Sequence, residues 1–90
     1  MRIVRDDYFL QQLLEILRNI ASDKPGAALH FEQQLNKRIR NLIDFPWQGR
    51  PSHYFEDKAY RDMIHDGYTI IYKVEQDQIL ILEIFKWQDR

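Results

Sequence analysis

No cysteine occurs among the ninety residues. Disulfides are excluded, and zinc sites built on thiolates with them. Glycine and proline are scarce, three of each, and the glycines do not cluster, so no phosphate-cradling loop is present. No apolar run approaches the roughly 18 residues that cross a bilayer. The first residues, MRIVRDDYF, hold neither a long apolar stretch nor a small-residue cleavage site, so no signal peptide is expected. These absences predict a cytoplasmic protein without membrane association. A charge excess is missing too: the net charge is −1 and the pI about 6.3. A dedicated nucleic-acid binder carries a strong basic excess, because phosphate neutralisation supplies most of its affinity. Direct sequence-specific binding to nucleic acid is not expected. Hydroxyl nucleophiles are limited to Ser22, Ser52 and Thr69, none in a recognisable elbow. His30, His53 and His65 are scattered without a two-His helical spacing, so neither a metal nor a cofactor is expected.

What is present is ordinary for a globular chain: 44% hydrophobic and 30% charged residues. The length predicts one domain, residues 1–90, with a thin core, since a domain this small buries roughly 60% of its unfolded surface. Charge is uneven along it. From Lys37 to Arg61 the cations are Lys37, Arg38, Arg40, Arg50, Lys58 and Arg61, against Asp44, Glu56 and Asp57. A local basic patch is consistent with this; a basic protein is not.

Ile3 and Val4 suit a short edge strand. Asp6 and Asp7 follow as N-cap candidates. Leu10, Leu13, Leu14, Leu17, Ile20 and Ala21 then recur at spacings of three and four, the mark of an amphipathic helix. Pro25 suits the first turn of a second helix, whose buried stripe reads Ala28, Phe31, Leu35, Ile39 and Leu42. From Asp44 to Lys58 prolines and a glycine argue for irregular structure. A connection of that length in a small chain points to function. From Ala59 onward the period becomes two. Tyr60, Asp62 and Ile64 oppose Arg61, Met63 and His65; Asp66-Gly67 signals a tight turn; Tyr68, Ile70, Tyr72 and Val74 oppose Thr69, Ile71 and Lys73; Leu80, Leu82 and Ile84 oppose Ile79, Ile81, Glu83 and Phe85. The expected fold is α+β: an N-terminal strand and an α-helical hairpin packed on a small antiparallel sheet, in the order β-α-α-β-β-β. The helices cover one face; Arg61, Met63, His65, Thr69, Lys73 and Glu83 are expected on the other, wet or covered by a partner.

Arg61 and His65 stand four residues apart on one strand, so on one face and about 13 Å apart. They suit either a phosphate clamp with a proton-transfer group or solvated charges on an open sheet. Trp47, Arg50 and Tyr54 form an aromatic and cationic stretch of the kind favoured at protein interfaces. Phe45 is expected in the core, sealing the bottom of the hairpin. Trp87 follows the last strand between Lys86 and Arg90, where packing demands are weak.

The order strand, helical hairpin ending in LIDFPWQGRP, then YRDMIHDGYTIIYKVEQDQILILEIFKW resembles the RelE/ParE superfamily of type II toxin–antitoxin toxins. The resemblance spans Ile3 to Arg90. Its most specific parts are the L-x-x-F-P-x-x-G ending of the hairpin, Leu42 to Gly49, and G-Y-x-I-I-Y-x-V, Gly67 to Val74. RelE-like members are ribosome-dependent mRNA endoribonucleases that use several basic groups on the sheet. ParE-like members share the shape and poison DNA gyrase. Arg61 matches one basic position of the ribonucleases, and Lys86 and Arg90 stand where C-terminal cations would be. Met63 replaces a second sheet cation, Thr69 replaces the arginine after Gly-Tyr, and no tyrosine or histidine follows the last strand. An RNase needs converging cations to stabilise a developing phosphate dianion. The resemblance therefore implies a ParE-like toxin without catalysis of its own. It would inhibit growth by binding gyrase, be neutralised by a cognate antitoxin, and serve plasmid stabilisation. Trp47, Arg50, Arg61, Lys86, Trp87 and Arg90 are the implied target-contact residues. In the alternative, a RelE-like ribonuclease, Arg61, His65, Lys86 and Arg90 would carry the cleavage.

Overall fold

In a computed structural model, which describes residues 1–86, the chain runs β1 (Arg2–Arg5), α1 (Asp7–Asp23), α2 (Pro25–Asn41), β2 (Arg50–Pro51), β3 (Tyr60–His65), β4 (Tyr68–Val74) and β5 (Gln78–Lys86). Asp6 caps α1, its carboxylate accepting from the Tyr8 N–H at 3.0 Å, which satisfies one of the donors a helix start leaves open. Lys24 alone separates the helices, with Pro25 opening α2. Asp66 (φ 49) and Gly67 (φ 83) both take positive φ, the pairing of a type I′ turn whose twist suits a hairpin.

The five strands form one sheet in the order β1-β5-β4-β3-β2. The meander β3-β4-β5 is antiparallel, as expected. β1 instead pairs parallel with β5, Arg2 opposite Gln78 through Arg5 opposite Ile81, so the sheet is mixed and not wholly antiparallel. The connection after α2 also contributes β2, which borders Arg61 and Asp62. Its proline sits at the sheet edge, where a missing N–H costs no ladder bond.

The hairpin docks on one face through Phe9 and Leu13 of α1 and the expected α2 stripe, against Met63, Ile70, Tyr72, Val74, Ile79, Ile81 and Ile84. Each such side chain contributes about 1.5–3 kcal/mol on burial. Leu10 and Leu14 do not join this core; they are 43% and 48% exposed on the outer side of α1.

Two facings differ from the sequence expectation. Met63 and His65 lie on the helix side, buried, and Arg61 shares that side opposite Tyr72. Asp62 and Ile64 take the other face, with Thr69, Ile71, Lys73 and Glu83. In β3 each alternate set holds a charge and an apolar residue, so period two gives the alternation without its sign. In β5 a register shift opposite Ile71 and Tyr72 inserts an extra residue, so Ile79, Ile81 and Ile84 all reach the core. The second face is not open. The connection before β3 folds across it: the His53 N–H donates to Asp62 Oδ2 at 3.0 Å, the Tyr54 ring meets Phe85 edge-on at 5.4 Å, and Phe55 stacks on Tyr60 at 4.2 Å. Thr69, Ile71 and Asp62 are buried there.

Candidate protein-contact site

After α2 the chain tightens into successive turns, with Ile43, Asp44 and Phe45 N–H groups donating back to Arg40 and Asn41 carbonyls. Leu42 is fully buried and fixes where the segment leaves the core. The residues beyond it point outward. Phe45 is 64% exposed and Trp47 53%. The expectation that Phe45 sits in the core is therefore corrected: Leu42 already fills that end, and Phe45 is carried past it. Asp44, Phe45, Pro46, Trp47 and Gln48 together line a shallow apolar recess.

Side chains of the sheet hold this tip in one shape. The Tyr72 hydroxyl donates to the Pro46 carbonyl at 2.8 Å and accepts from the Gly49 N–H at 2.9 Å. Arg61 donates from Nε to the Gly49 carbonyl at 2.9 Å and from Nη2 to the Trp47 carbonyl at 3.3 Å. Its guanidinium also lies 5.3 Å from the Trp47 ring centroid, within cation–π range. Burial raises the Tyr72 phenol above its usual pKa, against the opposing pull of the Gly49 hydrogen bond and of Arg61, so the hydroxyl keeps the proton it donates. Gly49 has no room for a side chain: a Cβ would stand 2.7 Å from the Asp62 carbonyl oxygen and 2.8 Å from the Tyr72 hydroxyl. Arg50 extends the patch, with Nε 3.6 Å from Asp62 Oδ2. Arg38, Gln48, Gly49 and Arg50 line a recess of about 270 Å³ beside it.

Of the residues singled out in the sequence, Trp47, Arg50 and Arg61 come together here. Lys86 does not. It stands opposite Tyr68 with Nζ 5.6 Å from that ring, four residues along β4 from Tyr72 and so about 13 Å away. His65 is also elsewhere. Its ring packs edge-on to Phe31 at 5.2 Å, with Nδ1 3.4 Å from Arg38. Trp87 and Arg90 lie outside the described residues. Arg61, His65 and Lys86 thus surround no common point, and Arg61 directs its donors at backbone carbonyls. Tyr72, Gly49 and Arg38 were not among the expected site residues. The signal for Tyr72 was weak: a tyrosine in a core stripe requires a hydroxyl partner, but nothing local says where. Among the described residues no group of His, Asp and Glu could hold a metal ion, and no helix is long and apolar enough to cross a membrane.

His65 is the one histidine whose acidity is visibly altered. Burial lowers its pKa from 6.5, Arg38 adds to the fall, and Asp66 opposes both. The folded state thus prefers the neutral ring. Stability is full above about pH 6.5 and declines as pH falls toward the depressed folded value, because the unfolded chain takes up the proton first. We expect melting temperature to drop between about pH 7 and 5, and His65→Leu to remove part of that slope. Superimposable profiles for the two proteins would refute the assignment.

Comparisons with known proteins agree with this architecture. Residues 3–89 match the family model of the ParE toxin of the type II toxin–antitoxin system parDE. A chain from the chromosomal ParDE system of P. aeruginosa superposes with a TM-score of 0.80 at 22% identity, covering 96% of this chain and 95% of that one. The conserved hypothetical protein HP0894 of Helicobacter pylori, solved in solution, gives 0.56 at 18% identity, covering 98% and 96%. No match emerges among curated protein sequences. The family model spans almost the whole chain and the helical hairpin lies on the same sheet, so this chain belongs to the ParE toxin family of type II toxin–antitoxin systems.

Proposed function

We propose that this toxin inhibits growth by binding a bacterial topoisomerase, DNA gyrase, without catalysis or cofactor, in the cytoplasm, and that a cognate antitoxin neutralises it. The observation that carries the reading is the use made of Arg61. A ribonuclease would aim that guanidinium at a scissile phosphate; here it is tied to the Gly49 and Trp47 carbonyls and braces an exposed tryptophan. A rigid aromatic anchor flanked by arginine is the composition of a protein-binding hot spot. We place the target contact at Trp47, with Phe45, Arg50 and Arg61, and assign Trp87 and Arg90 a supporting part on sequence grounds. Lys86 stays with its Tyr68 neighbour and is withdrawn from that set. The antitoxin would cover the apolar residues left open on the hairpin, Leu10, Leu14 and Leu29, since such surface on a small chain seeks a partner.

The direct test is a purified-protein supercoiling assay with gyrase, run beside an mRNA cleavage assay on programmed ribosomes. The expected result is loss of supercoiling with intact mRNA. Cleaved mRNA with gyrase unaffected, and cleavage lost in Arg61→Ala, would establish the ribonuclease instead.

A further inference from the structure

β1 stops at Arg5, where the Asp6 N–H reaches the Ile81 carbonyl at 2.9 Å and the chain turns into α1. β5 runs on to Lys86, held by β4 from Ile71 opposite Glu83 to Tyr68 opposite Lys86. This last stretch has a strand on one side only. The register shift next to Tyr72 swaps the edges at which its backbone groups point. Accordingly the Ile84 N–H does not face β4; it donates to Gln12 Oε1 of α1 at 2.8 Å. Within a strand the N–H and C=O of one residue share an edge, and the pattern repeats every second residue. The Ile84 carbonyl and the Lys86 N–H therefore face the same edge. Beside it lies a groove of about 330 Å³, lined on the helix side by Gln12, Glu15, Ile16 and Asn19. The Gln12 amide occupies the place of an absent strand. At the opposite edge of the sheet a cation fills the equivalent place, with Arg38 donating to the Ile64 carbonyl.

We propose that the β5 edge over residues 82–86 receives an extended segment of the antitoxin, which adds to the sheet in line with β1 and takes over the Ile84 N–H from Gln12. The existence of that partner rests on the toxin–antitoxin reading above. The form of the occupant follows from the edge itself. Alternating donors and acceptors along a strand pair with another extended backbone, and not with a helix, whose own backbone groups are already bonded internally. The new strand would continue an interface already made by β1, and the polar rim of Gln12, Glu15 and Asn19 suits its outward side chains.

The test is amide hydrogen exchange, followed by NMR, on the chain alone and in complex with the protein encoded by the neighbouring gene. Exchange at Ile84 and Lys86 should slow by about tenfold or more in the complex. Gln12→Ala should speed Ile84 exchange in the free chain and tighten the complex by about fivefold, the effect of removing one competing neutral hydrogen bond. Asn19→Arg, at an exposed groove position, should weaken the complex without changing the melting temperature. A complex that forms with Ile84 and Lys86 exchange unchanged and tolerates Asn19→Arg overturns the strand addition and leaves the toxin–antitoxin reading standing. Protection that rises with concentration of the free chain alone means a second copy takes the edge, and also overturns it. Failure of the two proteins to associate overturns both.

Discussion

Trp47→Ala abolishes growth inhibition and gyrase inhibition while leaving melting temperature nearly unchanged; this is the largest functional effect expected. The ring is about half exposed and rests on the Arg61 guanidinium, so its removal exposes little core and leaves no cavity. Contact residues of this type cost at least about 2 kcal/mol when truncated, which is roughly thirtyfold in affinity. Phe45→Ala should act in the same direction, because Phe45 is more exposed still and lines the same recess. Antitoxin binding should survive both changes, since the hairpin residues assigned to it lie elsewhere. Inhibition of supercoiling by Trp47→Ala at the wild-type concentration would move the contact away from this tip. The measurement pairs a supercoiling titration with thermal unfolding, so that a folding defect cannot imitate a lost contact.

Gly49→Ala gives the largest stability effect. The added methyl meets the Asp62 carbonyl oxygen and the Tyr72 hydroxyl below 3 Å. One of these is backbone in the middle of β3 and cannot swing aside. Either the loop lifts, breaking the bonds from Tyr72 and Arg61, or the strand shifts. Overpacking of this kind costs about 1–3 kcal/mol. For a domain of this size that lowers the melting temperature by roughly 5–20 °C. The variant should also lose potency beyond what its unfolded fraction explains, because the tip that carries Trp47 is no longer held. Tyr72→Phe serves as the milder companion. It keeps the packed ring but leaves the Gly49 N–H without its acceptor and the Pro46 carbonyl without its donor, at about 1–3 kcal/mol. Unchanged melting temperature in Gly49→Ala would show that the loop accommodates a side chain and is not fixed by this contact.

Much of the framework follows from the sequence alone. The spacing of Phe31, Leu35, Ile39 and Leu42, the Asp6 cap, Pro25 at a helix start and Asp66-Gly67 at a turn each act over a few residues. Their physics is local: helical period, an unsatisfied N–H, a fixed φ, a positive φ. These fix the hairpin, the meander and their order. The aromatic and cationic content near Trp47 was likewise apparent, and so was the family. Tertiary structure decided what needs a partner distant in sequence. The direction of β1 depends on Ile3 meeting Ile79, and four residues carry no signal for parallel or antiparallel pairing. The facing of β3 was undetermined because Arg61, Met63 and His65 are no more polar as a set than Tyr60, Asp62 and Ile64; packing against Phe31 and pairing with β4 chose it. Phe45 reads as core by composition, yet Leu42 takes that space. Arg61 reads as a free cation until the fold sets the Gly49 and Trp47 carbonyls within reach of it. Residue types state which interactions a chain can make, and only closure of the long-range contacts determines which of them are used.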